Sequence, residues 1–269
     1  MFATYLSAMH ESISRRVALV LLGVALLVSI AFNAFVHVRK LGGGEMIVAI
    51  GTQPPMPAAF AVPIVLEAEF QGTDQLWLLL AIFAASPLLT ATLDKGWLEL
   101  TFSKGTARWR IFTGRVLAGL TMYLLLFAVA ALPVALRLWW ETGVGTWRAC
   151  VAIAIETLGF SALLSVASLL TLPQRGVALP MIASVAVWLL SPFLANRRET
   201  FYRLFSWHVG HEVVDWAYRI LPKSFELEAS CVAFIQGGKV VSWWPFWSTA
   251  VFAICVFGLT LRQLSRKSF

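Results

Sequence analysis

Residues 17–36 read VALVLLGVALLVSIAFNAFV, twenty positions without a charge. A helix rises about 1.5 Å per residue, so about 20 apolar residues cross a hydrocarbon core of about 30 Å. Five further stretches share this character, at 76–93, 111–136, 150–172, 177–194 and 245–261. Of 21 basic and 14 acidic residues in the chain, only Arg115 and Glu156 fall inside the six segments. A soluble fold spreads charge along every amphipathic helix, whereas this segregation marks a bilayer as the solvent. The composition, 59% hydrophobic and 13% charged, departs the same way from soluble domains, where the shares are about half and about a quarter. The sequence predicts an all-α polytopic membrane protein in which residues 1–269 form a single six-span domain.

The net charge of +7 is distributed unevenly. Residues 1–16, 94–110, 173–176 and 262–269, with Arg115, carry 11 basic and 3 acidic groups, while 37–75, 137–149 and 195–244 carry 10 of each. Basic loops stay cytoplasmic, so both termini are expected in the cytoplasm. The positive excess then reads as an orientation signal, with membrane lipid and not nucleic acid as its partner. Arg15 and Arg16 ahead of an apolar run also fit a signal peptide. That run is too long for one and lacks a small-residue cleavage site, which favours a retained first span.

Ahead of that span, Phe2, Leu6, Met9 and Ile13 recur at helical spacing opposite Thr4, Ser7, His10, Glu11 and Ser14. This pattern predicts an amphipathic helix over residues 1–16, lying along the cytoplasmic surface and turning inward at Arg15 and Arg16. The segment 37–75, with Gly42, Gly43, Gly44, Pro54, Pro55, Pro57 and Pro63, is expected to be a loop with little regular structure. The segment 173–176 is short enough to force a tight hairpin. In the external segment 195–244, Phe201, Phe205, Val209, Val213, Trp216 and Ile220 line one face of a predicted helix, with His208, His211, Glu212, Asp215 and Arg219 on the other. Trp139, Trp140, Trp243, Trp244 and Trp247 gather at span ends, as an aromatic belt requires.

Few residues carry candidate chemistry. His208, His211 and Glu212 form an HxxHE arrangement, but zinc normally takes three or four well-supported ligands. The polar face of the helix accounts for them, with Asp215 and Arg219 spaced for an i,i+4 ion pair, and no metal is expected. Cys150, Cys231 and Cys255 have no metal-ligand spacing. Glu156 is different. A mid-membrane carboxylate costs about 2.5 to 3.5 kcal/mol on insertion scales, so it is expected to face a cavity, a partner helix or a proton path, or to be protonated. Two turns into the span, a lean toward the headgroups is the alternative to a cavity-lining or subunit-contact role. No nucleophile has a base partner at suitable spacing, and no GxxxxGK[ST] occurs, Gly237-Gly238-Lys239 being followed by Val240. The chain is therefore not expected to be an enzyme or to hold a cofactor.

The segment 94–110 reads DKGWLELTFSKGTARWR and leads into the third span through Gly114 and Arg115. It resembles the corresponding segment of ABC-2 type permease subunits through Asp94, Gly96, Glu99, Leu100, Ser103, Arg108 and Gly114, with Arg115 in the basic position. Gly105 departs from the family's common Pro, and Trp97 from its common Thr. Glu11, Arg15 and Arg16 are similar to the family's N-terminal pattern, and Ile220-Leu221-Pro222 with Phe225-Glu226-Leu227 to its motif before the last span. The nearest branch in character comprises permeases of multicopper-enzyme maturation and gliding-motility systems. The resemblance implies a bacterial inner-membrane protein paired with a second permease subunit, identical or sister. Separate ATPase subunits would hold ATP and Mg. It also implies a short cytoplasmic coupling helix between spans two and three that docks on an ATPase. Two other classes stay open: a proton-driven secondary transporter using Glu156, and a non-transporting scaffold or membrane enzyme.

Overall fold

The computed structural model describes residues 2–14, 16–40, 45–90, 107–172, 176–204, 208–238 and 242–266. The chain runs α1 (Phe2–Ser14), α2 (Val17–Phe35), β1 (Val36–Lys40), β2 (Met46–Ile50), β3 (Met56–Pro57) and α3 (Ala58–Thr90). There follow α4 (Arg108–Thr142), α5 (Trp147–Thr171), α6 (Ala178–Ala195), α7 (Phe201–Leu204), α8 (His208–Ile220), α9 (Ser224–Ile235) and α10 (Trp244–Arg266). Six of these, α2 to α6 and α10, are long and apolar enough to cross a membrane. The protein is an all-α polytopic membrane protein with a small sheet appended.

Burial sorts the spans into two shells. In the most apolar window of each, α3, α4 and α5 are 56%, 50% and 61% buried, whereas α2, α6 and α10 reach only 17%, 22% and 17%. The outer three therefore present apolar side chains such as Leu27, Ile182 and Ile254 outward, which in a bilayer meet lipid. Small residues allow the inner three to approach closely, as a Cβ at Gly119 would sit 3.4 Å from both Ala85 and Leu164. Buried hydroxyls return to the carbonyl one turn back, as Ser86 to Ile82, Ser168 to Leu164 and Thr171 to Ala167. A dry interior leaves them few other acceptors.

The segment 37–75 is more ordered than its glycines and prolines suggest. Val36–Lys40 pairs antiparallel with Met46–Ile50, and Ile47 and Val48 pair with Pro57 and Met56. Alternation explains the hairpin: Val36 and Val48 are buried on one face of β-branched strands. The helix after it then begins at Ala58, not Leu76. Pro63 lies in its second turn, where the lost N–H withdraws a single bond from the carbonyl of Ala59. At 33 residues α3 is about 50 Å long and outruns a 30 Å core. The expected external helix is described over α7 and α8, and a further helix not expected from the sequence, α9, follows Pro222. The expected coupling helix, with Asp94, Gly96, Glu99 and Ser103, lies outside the described residues, as does Arg15.

Candidate functional site

At one end of the bundle α1 lies across the start of α4. Its apolar stripe faces away from the protein, with Phe2, Leu6 and Ile13 exposed, while Ala8 is buried against the bundle. Thr4 donates to the carbonyl of Arg110 at 3.2 Å, and the Tyr5 hydroxyl donates to Thr121 at 3.2 Å. The crossing is close because Gly114 has no side chain. A Cβ there would stand 2.9 Å from Thr4 Oγ1 and 3.0 Å from the backbone nitrogen of Tyr5. At Arg16 the chain takes φ 60°, a left-handed turn unusual for a residue with a side chain, and enters α2.

Next to Gly114, Arg115 unites two stretches that are far apart in sequence. Its guanidinium is 2% exposed, lies 3.0 Å from Glu11 and donates to the carbonyl of Leu88 at 2.7 Å. Burying a guanidinium is tolerable only with such partners. Of the residues singled out in the sequence, the structure thus brings together Glu11, Gly114 and Arg115. Arg108 opens α4 nearby.

The opposite end is closed by α9. Leu227, Cys231 and Ile235, one helical turn apart, are each 1% exposed. The N-terminal amides of this segment, orphaned in an isolated helix, find hydroxyls on neighbouring spans: Lys223 N–H donates to Thr249 and Phe225 N–H to Ser191. Its far end is held where Gln236 donates to Glu67 at 2.5 Å and Phe234 meets Trp147 edge-on. Lys223 donates to the carbonyl of Tyr218 and lies over the Tyr218 ring at 4.6 Å, and burial pushes its ammonium below the ordinary lysine range. Burial, with the hydrogen bond to Glu226, pushes the Tyr218 hydroxyl up to about 12.

Beneath α9 lies Glu156, about 14 Å along α5 from Trp147 and 6% exposed. It is not, as the sequence suggests, the lone carboxylate buried in the bundle. With α3 extended back to Ala58, Glu69 and Asp74 join its buried face, at 1% and 6% exposure. Asp74 and Glu228 both lie within electrostatic reach of Glu156, and the Cys231 thiol shares a hydrogen bond with it. Four helical residues separate Glu69 from Thr73, and Ala61, Val62, Val65, Leu66, Phe70, Trp77 and Leu78 continue the same buried stripe. That repeat was legible upstream of Gln75 and was obscured by the prolines.

The HxxHE residues sit outside the bundle. His208 Nδ1 is 3.4 Å from Glu212, on side chains 86% and 62% exposed, and His211 stacks on Tyr202 at 4.1 Å. Asp215 takes Arg197 as its partner at 2.6 Å, not the expected Arg219, and accepts from the Tyr202 hydroxyl at 2.8 Å. An ion pair to a residue two positions past the end of α6 ties α8 to the bundle, whereas a pair to Arg219 would act within α8 alone; Arg219 stacks on Trp216 instead. No group of three or more metal-ligating side chains with metal-binding geometry occurs among the described residues.

The Arg197 and Tyr202 hydrogen bonds hold the Asp215 carboxyl below its ordinary range. A depressed carboxyl adds stability that is present above the ordinary aspartate value of about 3.9 and lost as the pH falls through the lowered value. Asp215→Asn is therefore expected to loosen α8 at neutral pH, raising hydrogen exchange in 208–220, with the difference from wild type vanishing in acid. A difference that persists in acid would mean that the carboxylate charge is not what holds α8.

No family model, curated protein or solved structure matches the chain.

Proposed function

We propose that this chain is the membrane-spanning permease subunit of an ATP-driven transporter of the ABC-2 type, paired with an identical or sister subunit and powered by separate ATPase chains. The docking of α1 on α4 carries the reading. Glu11 and Arg115, drawn from the two sequence stretches that resemble the family at its cytoplasmic side, form one ion pair over the Gly114 crossing. A surface helix rigidly joined to the third span, beside the segment 94–110, suits the transfer of movement from an ATPase to the membrane helices. The chain has no phosphate-binding loop, so ATP and Mg belong to the partner. In this reading the α1 end faces the cytoplasm of a bacterial inner membrane, and α9 closes the outer end.

Orientation is checked with a thiol reagent that cannot cross the membrane, applied to intact cells and to a protein stripped of Cys150, Cys231 and Cys255. Ser242→Cys, exposed before α10, is expected to react, and Ser265→Cys, exposed at its other end, is expected to resist. The reverse pattern would overturn the topology. The energy source is checked by purifying the tagged chain from its source membranes. Co-purifying P-loop subunits and vanadate-sensitive ATP hydrolysis are expected. A chain that transports without them would favour the second reading, a proton-driven carrier, which the gathering of Asp74 and Glu228 about Glu156 supports.

A further inference from the structure

Under α9, acidic groups from three helices converge: Asp74 on α3, Glu156 on α5 and Glu228 on α9, each within electrostatic reach of the other two. The neighbouring α4 contributes Tyr123, whose side chain is fully buried and stacks on Phe160, one turn from Glu156, at 4.3 Å. Its hydroxyl lies within reach of Glu156, Asp74, Cys231 and Glu228 and has no hydrogen-bond partner among the described residues. A phenol fully removed from water is left without a partner only at a cost in free energy, unless the site supplies one. Among the described residues, no basic group contributes to the electrostatics at Asp74, Glu156 or Glu228. α6 has no titratable residue, and on α10 the titratable groups are Cys255, which is exposed, and Arg262 and Arg266 at the far end of the helix.

We infer that Asp74, Glu156 and Glu228 form a proton-binding site beneath α9, whose carboxyl groups are neutralised by bound protons and to which the buried Tyr123 hydroxyl offers a hydrogen-bond partner. Carboxylates gathered in a buried site without a counter-ion repel one another and have lost their water, so binding protons is the least costly way to neutralise them. A protonated carboxyl also gains an O–H donor, which Tyr123 can accept. Glu228, half-buried on the helix that closes the outer end, is the member nearest solvent. Burial holds its carboxyl above the ordinary glutamate range. Uptake moves a proton from hydronium to a carboxylate oxygen and leaves water; release is the reverse. The inference rests on neither energy source proposed above.

The test uses the full chain alone in lipid nanodiscs, without an ATPase. Infrared spectra recorded from about pH 5 to about pH 9 are expected to show a protonated-carboxyl stretching band that declines as the pH rises. Glu156→Gln is expected to remove part of this band, and Tyr123→Phe to shift it. Dicyclohexylcarbodiimide takes the carboxyl proton on nitrogen and the carboxylate on carbon, then rearranges to a stable acylurea. Adducts at Glu156 or Asp74 are expected, falling about tenfold across the same range. A wild-type band and adduct yield that do not change with pH would overturn the inference. So would protection by an alkali cation at constant pH, which would make this a metal-cation site. The wild-type measurements decide the question even where a variant fails to fold, and their failure leaves coupling to an ATPase untouched.

Discussion

Gly114→Leu is expected to leave all six spans inserted while releasing α1 from α4 and sharply reducing ATP-coupled activity. The neighbours of an added Cβ include the backbone of Thr4 and Tyr5 at 3.0 to 3.1 Å, which cannot rotate aside as a flexible side chain can. Helix propensity favours leucine over glycine by up to about 1 kcal/mol, so α4 itself loses nothing. The cost falls on the crossing, where overpacking is worth about 1 to 3 kcal/mol, or roughly 5- to 150-fold in the docked population. The Glu11–Arg115 pair weakens with it, because α1 cannot move off without drawing the carboxylate from a buried guanidinium. Raised hydrogen exchange in residues 2–14, together with lost ATPase stimulation in the reconstituted complex, is the expected outcome. Unchanged exchange would show that α1 accommodates the side chain and that the close approach at Gly114 is incidental.

The second large effect is expected at Glu99, on the segment proposed to meet the ATPase. Orientation of the spans depends on basic residues near their ends, so Glu99→Ala makes the loop more positive and leaves the topology intact. A specific contact behaves differently. Truncating one partner of a desolvated charged hydrogen bond costs about 2 to 5 kcal/mol, whereas an exposed rim charge changes little. Glu99→Ala is therefore expected to insert normally and to weaken ATPase association at least about tenfold, with Arg108→Ala milder. Co-purification and transport assays read the effect. Full assembly and transport in both variants would reduce 94–110 to an ordinary basic loop.

The spans and the α1 end were legible because their signals are local. Twenty uncharged residues set a helix length, and Phe2, Leu6 and Ile13 recur at a helical period that the structure turns outward. What α1 rests on was not local. The meeting of Glu11 with Arg115 spans most of the first half of the chain, and the need for Gly114 depends on a neighbour that sequence spacing does not identify. The acidic gathering was hidden for another reason. Pro54, Pro55, Pro57 and Pro63 read as loop punctuation, so Glu69 and Asp74 were placed in an external segment although they continue the apolar stripe of α3. Glu228 was hidden likewise, because α9 is short, lies past a proline and is anchored at its start by Thr249 and Ser191 on other helices.

The proposed function requires that the segment between the second and third spans touch an ATPase. A photoreactive amino acid placed at Trp97, two positions before Glu99 on that segment, tests it in the native complex under illumination. A crosslink to a polypeptide bearing a P-loop is expected, with a yield that changes between nucleotide-free and ATP-bound states. Crosslinks confined to lipid or to this chain, in a complex that still transports, would contradict it.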